Sequence, residues 1–415
     1  MPERPTRLDV ELHGEVVAQL QERRRQGRVE LTYTELARDR WQAGLPVISS
    51  SLPVRPRPQD ATAFLNGLLP EGQARYTLAA QRDLPASDAF GLLASYGRDI
   101  AGALVISDPD ADPTTRRPHA VGYATFDELA AAITALPDQP LGSHDDSELS
   151  LAGVQEKLLL VASSSPTGWA RPAGGLPSTH ILKPDPLTHP GVVVREAEAL
   201  QLARAVGLTT IDPRMLDIDG RPCLVVERYD RQAGADGEVL RIHQEDLLQA
   251  VGKDPAERHG RAKYQEADGP GFIDAAALLL ERATDPDEEL RKLAGSMVFT
   301  VLIGNSDAHA KNLSLLLDPP GTVRLAPLYD TVPTMLFPKL EVRCAMWVGG
   351  VHRSLEDVTF EAMVREMVGR HAWKLSEHRA VELVDEWLGS IASAADDTPT
   401  GRYVQRRAAE LERSR

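Results

Sequence analysis

The sequence predicts an α+β fold of two lobes, the first β-rich and the second mostly α-helical, preceded by an additional N-terminal subdomain. Three observations predict it. Before residue 243 the apolar residues alternate, or cluster in short runs bounded by Gly, Pro and Ser, as strands do. Beyond it they recur at helical spacing. Within that second half a polar loop, Ile303-Gly304-Asn305-Ser306-Asp307-Ala308-His309-Ala310-Lys311-Asn312, follows the apolar run Met297 to Ile303.

The elements follow in chain order. Residues 7–12 alternate apolar and polar, His13-Gly14 makes a turn, and Glu15 to Leu20 resumes, which is a hairpin signal. Val29 to Tyr33 reads as a further strand. Residues 59–105 carry helical periodicity broken at Pro70 and Pro85, and Gly102 to Ile106 closes the region as a strand. Asp108 to Pro118 is rich in Pro, Asp, Thr and Arg and reads as a linker. Thr125 then caps a helix running to Leu136, with Asp127 and Glu128 in its first turn. Leu158 to Val161 and His180 to Lys183 read as paired strands around a Ser/Pro/Gly-rich loop, 163–178. Val192 to Val206 is a helix closed by Gly207, and Cys223 to Val226 a buried strand. The expected later helices are 244–251, 272–282, 286–303, 358–368 and 374–393. The organisation expected is a subdomain over 1–107, a linker and helix over 108–145, a β-rich part over 146–242 and a helical lobe over 243–415.

Bulk properties exclude several classes. With 415 residues, 42% hydrophobic and 26% charged, the chain is an ordinary soluble composition of more than one core. No apolar run approaches the roughly 20 residues a membrane span needs. The start, MPERPTRLDVELHG, lacks a signal peptide's apolar core, so a cytoplasmic location is expected. Cys223 and Cys344 are the only cysteines, too few for a disulfide framework or a cysteine zinc site. A net charge of −15 argues against direct DNA binding, and the run Arg23-Arg24-Arg25 reads as a solvated helix end.

The Asp307-to-Asn312 spacing is the Asp-x-x-x-x-Asn arrangement of a kinase catalytic loop, where the Asp orients the acceptor hydroxyl and the Asn holds Mg²⁺. Alone the spacing is common. Phosphoryl transfer also needs a phosphate-cradling turn, a strand Lys with an acidic partner, a hinge and a second metal-binding Asp, and the sequence offers each in order. Ala152-Gly153-Val154-Gln155-Glu156-Lys157 is a small-residue turn before a strand, able to point backbone N–H groups at phosphates. Lys183 ends a short strand. Glu196, expected in the first turn of the next helix beside Glu198, is the choice for its partner, although acids also favour that position for dipole reasons. Glu227-Arg228-Tyr229 fits a hinge read through its backbone. Asp330, after the apolar run 324–329, fits the second metal ligand. His309 reads as a loop-structuring residue, since no second His or Cys lies at ligand spacing. His243-Gln244-Glu245-Asp246 reads as the acidic start of a helix.

Together these segments make the chain similar to the HipA family of bacterial serine/threonine kinases, toxins of type II toxin–antitoxin pairs. The resemblance rests on Ser150 to Lys157, His180 to Lys183, Val226 to Arg231, His243 to Asp246, Ile303 to Asn312 and Leu328-Tyr329-Asp330. It extends to Leu8 to Gly14, Phe64 to Pro70 and Tyr96-Gly97-Arg98-Asp99. It implies a bilobal protein-kinase-like fold, with Asp307 catalytic and Asn312 and Asp330 on Mg²⁺. It also implies an ATP site lined by Ala152 to Lys157, Lys183, Glu227 to Tyr229, His309 to Asn312 and Tyr329. It further implies autophosphorylation at Ser150, with Ser147 and Ser143 as competitors, which silences the kinase. The implied protein substrate is a translation component, an aminoacyl-tRNA synthetase such as the glutamyl enzyme, with growth arrest and persistence as the consequence. The implied partner is a HipB-like helix-turn-helix antitoxin that carries the contact with operator DNA. Two other readings share parts of the pattern: a small-molecule kinase of the antibiotic type, and a non-catalytic corepressor module. The four residues Lys183, Asp307, Asn312 and Asp330 argue against the latter.

Overall fold

The structure, a computed structural model, describes residues 4–414 except 24–26, 112–116, 145, 154, 235–237, 319–320, 339, 341 and 369–372. Arg24, Arg25, Val154 and part of the expected linker therefore lie outside the described residues.

The N-terminal subdomain is built on a five-stranded antiparallel sheet in the order Gln59–Asp60, Arg28–Tyr33, Glu15–Arg23, Leu8–Leu12, Leu104–Ser107. Its first hairpin pairs Leu12 with Glu15 across a two-residue turn, and both turn residues, His13 and Gly14, have positive φ (51° and 81°). That is the turn whose twist matches its strands. Alternation then buries Leu8, Val10 and Leu12 against helices Thr62–Gly67, Gly72–Gln81 and Ala89–Tyr96. Pro70 and Pro85 fall between these helices, as the sequence suggests. Gly97 sits where the chain nearly touches itself: a Cβ there would lie 2.6 Å from the Ile106 carbonyl oxygen.

The second sheet has six strands in the order Arg214–Ile218, Arg221–Glu227, His180–Pro184, Leu158–Ala162, Trp169–Ala173, His119–Gly122. The expected pairing of 158–161 with 180–183 is present, with Leu158 opposite Leu182. The expected loop 163–178 needs correction, because it contains the strand Trp169–Ala173, paired on both edges. Pro172 and the flanking Ser and Gly residues hide it from sequence reading. The segment 119–136 also joins this sheet: His119–Gly122 is its edge strand, and Leu129 and Ile133 pack on Leu158, Leu160, Leu182 and Val225. The opposite face, with Leu224 and Val226, is covered by Val193, Ala197 and Leu200 of helix Val192–Ala205. Lys183 lies opposite Leu224 in the ladder and so shares that face.

The second half is helical, with Phe272–Arg282, Pro286–Ile303, Phe360–Val368, Glu377–Ala394 and Pro399–Arg413 around one large core. Gly295 lets Trp387 pack directly on helix Pro286–Ile303, where a Cβ would lie 2.5 Å from the indole. The expected helix 244–251 is present only in its second half. Gln244–Asp246 is a strand pairing with Ser314–Asp318, and Asp246 caps a short helix, Leu247–Ala250. Its strand pairing and the buried contacts of Glu245 with Ser49 Oγ (2.5 Å) and Ser50 N (2.8 Å) override the local acidic signal. No helix among the described residues is long and apolar enough to cross a membrane.

A buried charge cluster ties the N-terminal subdomain to the kinase-like core. Asp99 accepts from Arg231 at 2.9 Å and lies 3.6 Å from Arg228. Asp230 is chelated by Arg228 through Nε and Nη2 at 3.0 and 2.8 Å and takes the Gly102 N–H at 2.8 Å. The guanidinium groups of Arg228 and Arg231 also donate to the Ile100 carbonyl. Burial alone would raise both carboxylates, but the arginines hold Asp99 and Asp230 below the usual range. A buried pair broken from one side leaves an uncompensated charge. Asp99→Ala is therefore expected to destabilise the protein by about 3–5 kcal/mol in urea unfolding.

Candidate active site

The catalytic-loop candidate is delivered by helix Pro286–Ile303. That helix begins with Asp285 as N-cap, Pro286 and three acids in its first turn, and ends at Gly304 with φ 72°. A Cβ on Gly304 would sit 2.8 Å from Met335 and 2.9 Å from Tyr403, so the chain can turn this tightly only with glycine. The loop is then knitted internally. Asn305 Oδ1 accepts the Asp307 N–H (3.1 Å), and Ser306 N donates to Thr334 Oγ1 (2.7 Å). The Asp307 carbonyl accepts from Asn312 Nδ2 (3.1 Å) and the His309 N–H (2.7 Å). The five-residue spacing of Asp307 and Asn312 thus closes a compact loop, and the Asn amide nitrogen is used, leaving its oxygen for a cation.

Lys183 is buried, and its Nζ donates to Glu196 Oε1 at 2.7 Å and to Asp330 Oδ1 at 2.6 Å. Burial opposes a charged Lys183, yet the two carboxylates raise it above its ordinary value. Burial pushes Glu196 up despite Lys183 beside it, whereas Lys183 holds Asp330 down to about 2 against burial. Asp330 is thus held ionised beside Lys183. It also adopts a left-handed backbone, φ 54°, rare for a residue with a Cβ. Glu196 stands in the second turn of its helix, which starts at Val192, and not in the first turn expected from sequence, so its placement follows from Lys183 and not from the helix dipole.

Lys157 lies in the same electrostatic neighbourhood. Burial, reinforced by Lys183, lowers it to about 8, and its Nζ donates to the Ala152 carbonyl at 2.7 Å. Gly153 has φ 118° and no room for a Cβ, which would lie 2.5 Å from Lys157 Nζ. His309 is held neutral, lowered to about 3 by burial and then by Lys263. His309 Nδ1 and Gln155 Nε2 are buried with no hydrogen-bond partner among the described residues. Unpaired buried polar atoms are costly, and a polyanionic ligand with water would satisfy them. Asp307 faces solvent, and the surrounding protein mass pushes its carboxyl up to about 6. Asn312 and Asp330 each offer a hard oxygen donor, the type that Mg²⁺ prefers.

The remaining sequence candidates stand behind this cleft. Arg228 spends its side chain in the Asp99 and Asp230 cluster and its N–H on the Thr179 carbonyl (2.9 Å). Tyr229 donates to Gln244 (2.6 Å), and Tyr329 donates to the Lys311 carbonyl (2.6 Å). The Glu227 carboxylate is exposed beside His180 and Arg214, and Glu156 lies 3.8 Å from Arg221. Ala310 is buried and donates to the Lys263 carbonyl. Lys311 is buried between Asp246 (3.1 Å) and Glu71 (3.7 Å) and also donates to the Gly67 carbonyl. Ser150 is fully buried, donating to the Leu68 carbonyl at 3.0 Å.

Comparison with known proteins now decides the family. The family model for the HipA N-terminal domain matches residues 8–107, and that for the HipA-like C-terminal domain matches residues 149–395. The chain belongs to the HipA family. Y4mE of Sinorhizobium fredii (strain NBRC 101917 / NGR234), named as a kinase, is 36% identical over 401 residues, covering 94% of this chain and 92% of that one. The serine/threonine-protein kinase toxin HipA of Shewanella oneidensis is 28% identical, covering 74% of this chain and 71% of its own. The solved Shewanella oneidensis MR-1 complex of HipA, HipB and operator DNA contains a chain that superposes with a TM-score of 0.77 at 23% identity, over 97% of this chain and 95% of that one. The α+β, kinase-like architecture of the HipA family is therefore the architecture of this chain.

Three residues at the site escape sequence reading. Glu71, from the N-terminal subdomain, lies 3.1 Å from Lys263 and donates its N–H to the Gly153 carbonyl (3.4 Å). Tyr264 Oη donates to Asp307 Oδ1 at 3.0 Å. Glu71 directly follows the HipA-like segment Phe64 to Pro70, which was the available signal; Lys263-Tyr264 sits in an aperiodic polar stretch and gave none. Replacing Lys311 with Met leaves Asp246 buried without its cation. The expected result is a loss of about 3–5 kcal/mol in urea unfolding, so Lys311 is a strut of the fold.

Proposed function

We propose that this chain is a serine/threonine-protein kinase that takes ATP with Mg²⁺ and acts as the toxin of a toxin–antitoxin pair. The observation that carries the reading is Lys183, buried between Glu196 and Asp330 with the Asp307-to-Asn312 loop alongside. Lys183 and Lys157 supply positive charge for phosphates, and Gly153 gives the turn the room to approach them. Asn312 and Asp330 supply oxygen ligands for Mg²⁺, which neutralises phosphate charge when bound. Asp307 orients the acceptor hydroxyl and takes its proton. Neutral His309 and Gln155 offer polar atoms without adding charge. The backbone of Glu227 to Tyr229, held in place by the Arg228 cluster, is the adenine-binding hinge.

Membership of the HipA family supports the rest of the reading. The protein substrate is a translation component, an aminoacyl-tRNA synthetase. The partner is a HipB-like antitoxin that carries the operator DNA contact, a division of labour that suits a chain of charge −15. The site of action is the cytoplasm. Self-phosphorylation at Ser150 silences the kinase. Ser150, Ser147 and Ser143 are all buried, so the segment must leave its seat on Leu68 before its hydroxyl can be an acceptor.

Incubation with γ-labelled ATP and Mg²⁺ tests this. Label on Ser150 is expected in the parent, with Asp307→Ala slower by at least about a hundredfold. Phosphorylation of an aminoglycoside with no protein labelled would instead favour a small-molecule kinase.

A further inference from the structure

The bond between Tyr264 and Asp307 has the form of a substrate contact. A hydroxyl donates to the carboxylate oxygen of the residue that, in the kinase reading, orients the acceptor hydroxyl, at 3.0 Å. The backbone behind it is fixed on two sides. The Lys263 carbonyl accepts the Ala310 N–H from the catalytic loop (3.1 Å), and the Gln265 N–H donates to the Ala345 carbonyl (2.9 Å). Gly269 folds back on Tyr264, donating to its carbonyl at 3.0 Å, and a Cβ there would lie 2.6 Å from that oxygen. The Tyr264 ring stands edge-on to His309, with centroids 5.4 Å apart at 87°. Lys263 Nζ is drawn to Glu71 and lies 5.7 Å from the ring centroid. The ring is thus clamped, while the hydroxyl–carboxylate bond lies at the solvent-facing end of the cleft, where Asp307 is exposed and Tyr264 half-buried.

We propose that Tyr264 is a positioning residue that gates the acceptor subsite: its hydroxyl occupies the Asp307 oxygen that a substrate hydroxyl must take. A substrate Ser displaces it by offering an equivalent donor together with the binding energy of its own polypeptide. Water offers a donor without that energy, and so competes poorly. A single hydrogen bond to a charged group is strong enough to exclude an adventitious water and weak enough for a docked polypeptide to replace. The reaction held back is hydrolysis: the water oxygen bonds to the γ-phosphorus, the bond from that phosphorus to the β–γ bridging oxygen breaks, the proton passes to Asp307, and ADP and phosphate leave. Tyr264 and the N-terminal subdomain meet here through Lys263 and Glu71, so the gate is set by a part of the chain outside the kinase-like lobes.

This inference rests on the proposed kinase activity, and the experiment separates the two. Initial rates of inorganic phosphate release from Mg–ATP, which self-phosphorylation does not produce, are measured with no acceptor protein added for the parent, Tyr264→Phe and the double variant Tyr264→Phe/Asp307→Ala. Mg–ATP affinity is measured in parallel by titration calorimetry. Tyr264→Phe keeps the ring and its contacts and removes only the donor. Its hydrolytic kcat is expected to rise about tenfold, the equivalent of one such bond at its lower limit, with an unchanged KM for ATP and no gain in the double variant. A residue that merely supports the fold would not produce a gain in kcat at constant KM. Mg–ATP binding with an unchanged or lower hydrolysis rate in Tyr264→Phe overturns the gate and leaves the kinase reading standing. No Mg–ATP binding by the parent overturns both.

Discussion

Lys183 is a buried ammonium, and the rest of the molecule is arranged around neutralising it. An isolated charge in the interior costs several kcal/mol, so such a lysine persists only with carboxylates in contact. One of them, Glu196, comes from the helix packed on the six-stranded sheet. The other, Asp330, follows the hairpin after the Asp307-to-Asn312 loop and therefore belongs to the helical lobe. A single side chain thus fixes the sheet, its covering helix and the second lobe with respect to one another. Asp330 accepts this place in a strained left-handed conformation. Because Glu196 is fully buried while the Asp330 side chain stays 35% exposed, the Asp330 carboxylate is the one that a cation could reach.

The N-terminal subdomain is the second constraint. Its Tyr96-to-Asp99 segment supplies the carboxylate that balances Arg228, Arg231 and Arg241. Its Phe64-to-Glu71 segment supplies the Gly67 and Leu68 carbonyls that hold Lys311 and Ser150, and the carboxylate that reaches Lys263. Gly67 comes so close to the helical lobe that a Cβ would lie 2.6 Å from the Gln249 side chain. The subdomain is therefore the back wall of the candidate cleft, and two of its three HipA-like segments, Phe64 to Pro70 and Tyr96 to Asp99, lie at or next to these contacts.

Much of this was legible in the sequence because local rules agree with the fold. The His13-Gly14 hairpin, the Thr125 cap, the Gly207 stop and the pairing of 158–161 with 180–183 follow from turn chemistry and periodicity. What was hidden was set by tertiary contacts. The strand Trp169–Ala173 is held by neighbours on both edges despite Pro172, and Gln244–Asp246 is a strand because Ser314–Asp318 pairs with it. Within the site, residue types at kinase spacing pointed to Lys183, Glu196, Asp307, Asn312 and Asp330. The same spacing could not tell that Arg228, Tyr229, Lys311 and Tyr329 spend their side chains on the scaffold. It was also silent on Glu71, Lys263 and Tyr264, whose partners lie 43 to 192 residues away in sequence.

The central claim is that Asp330 carries the metal to a nucleotide at Lys183. Its most direct test is calorimetric titration of ATP, with Mg²⁺ and with chelator, into the parent and Asp330→Asn. The account predicts tighter binding with Mg²⁺ for the parent, and a variant that binds ATP with chelator but gains nothing from Mg²⁺. An undiminished Mg²⁺ effect in Asp330→Asn would contradict it.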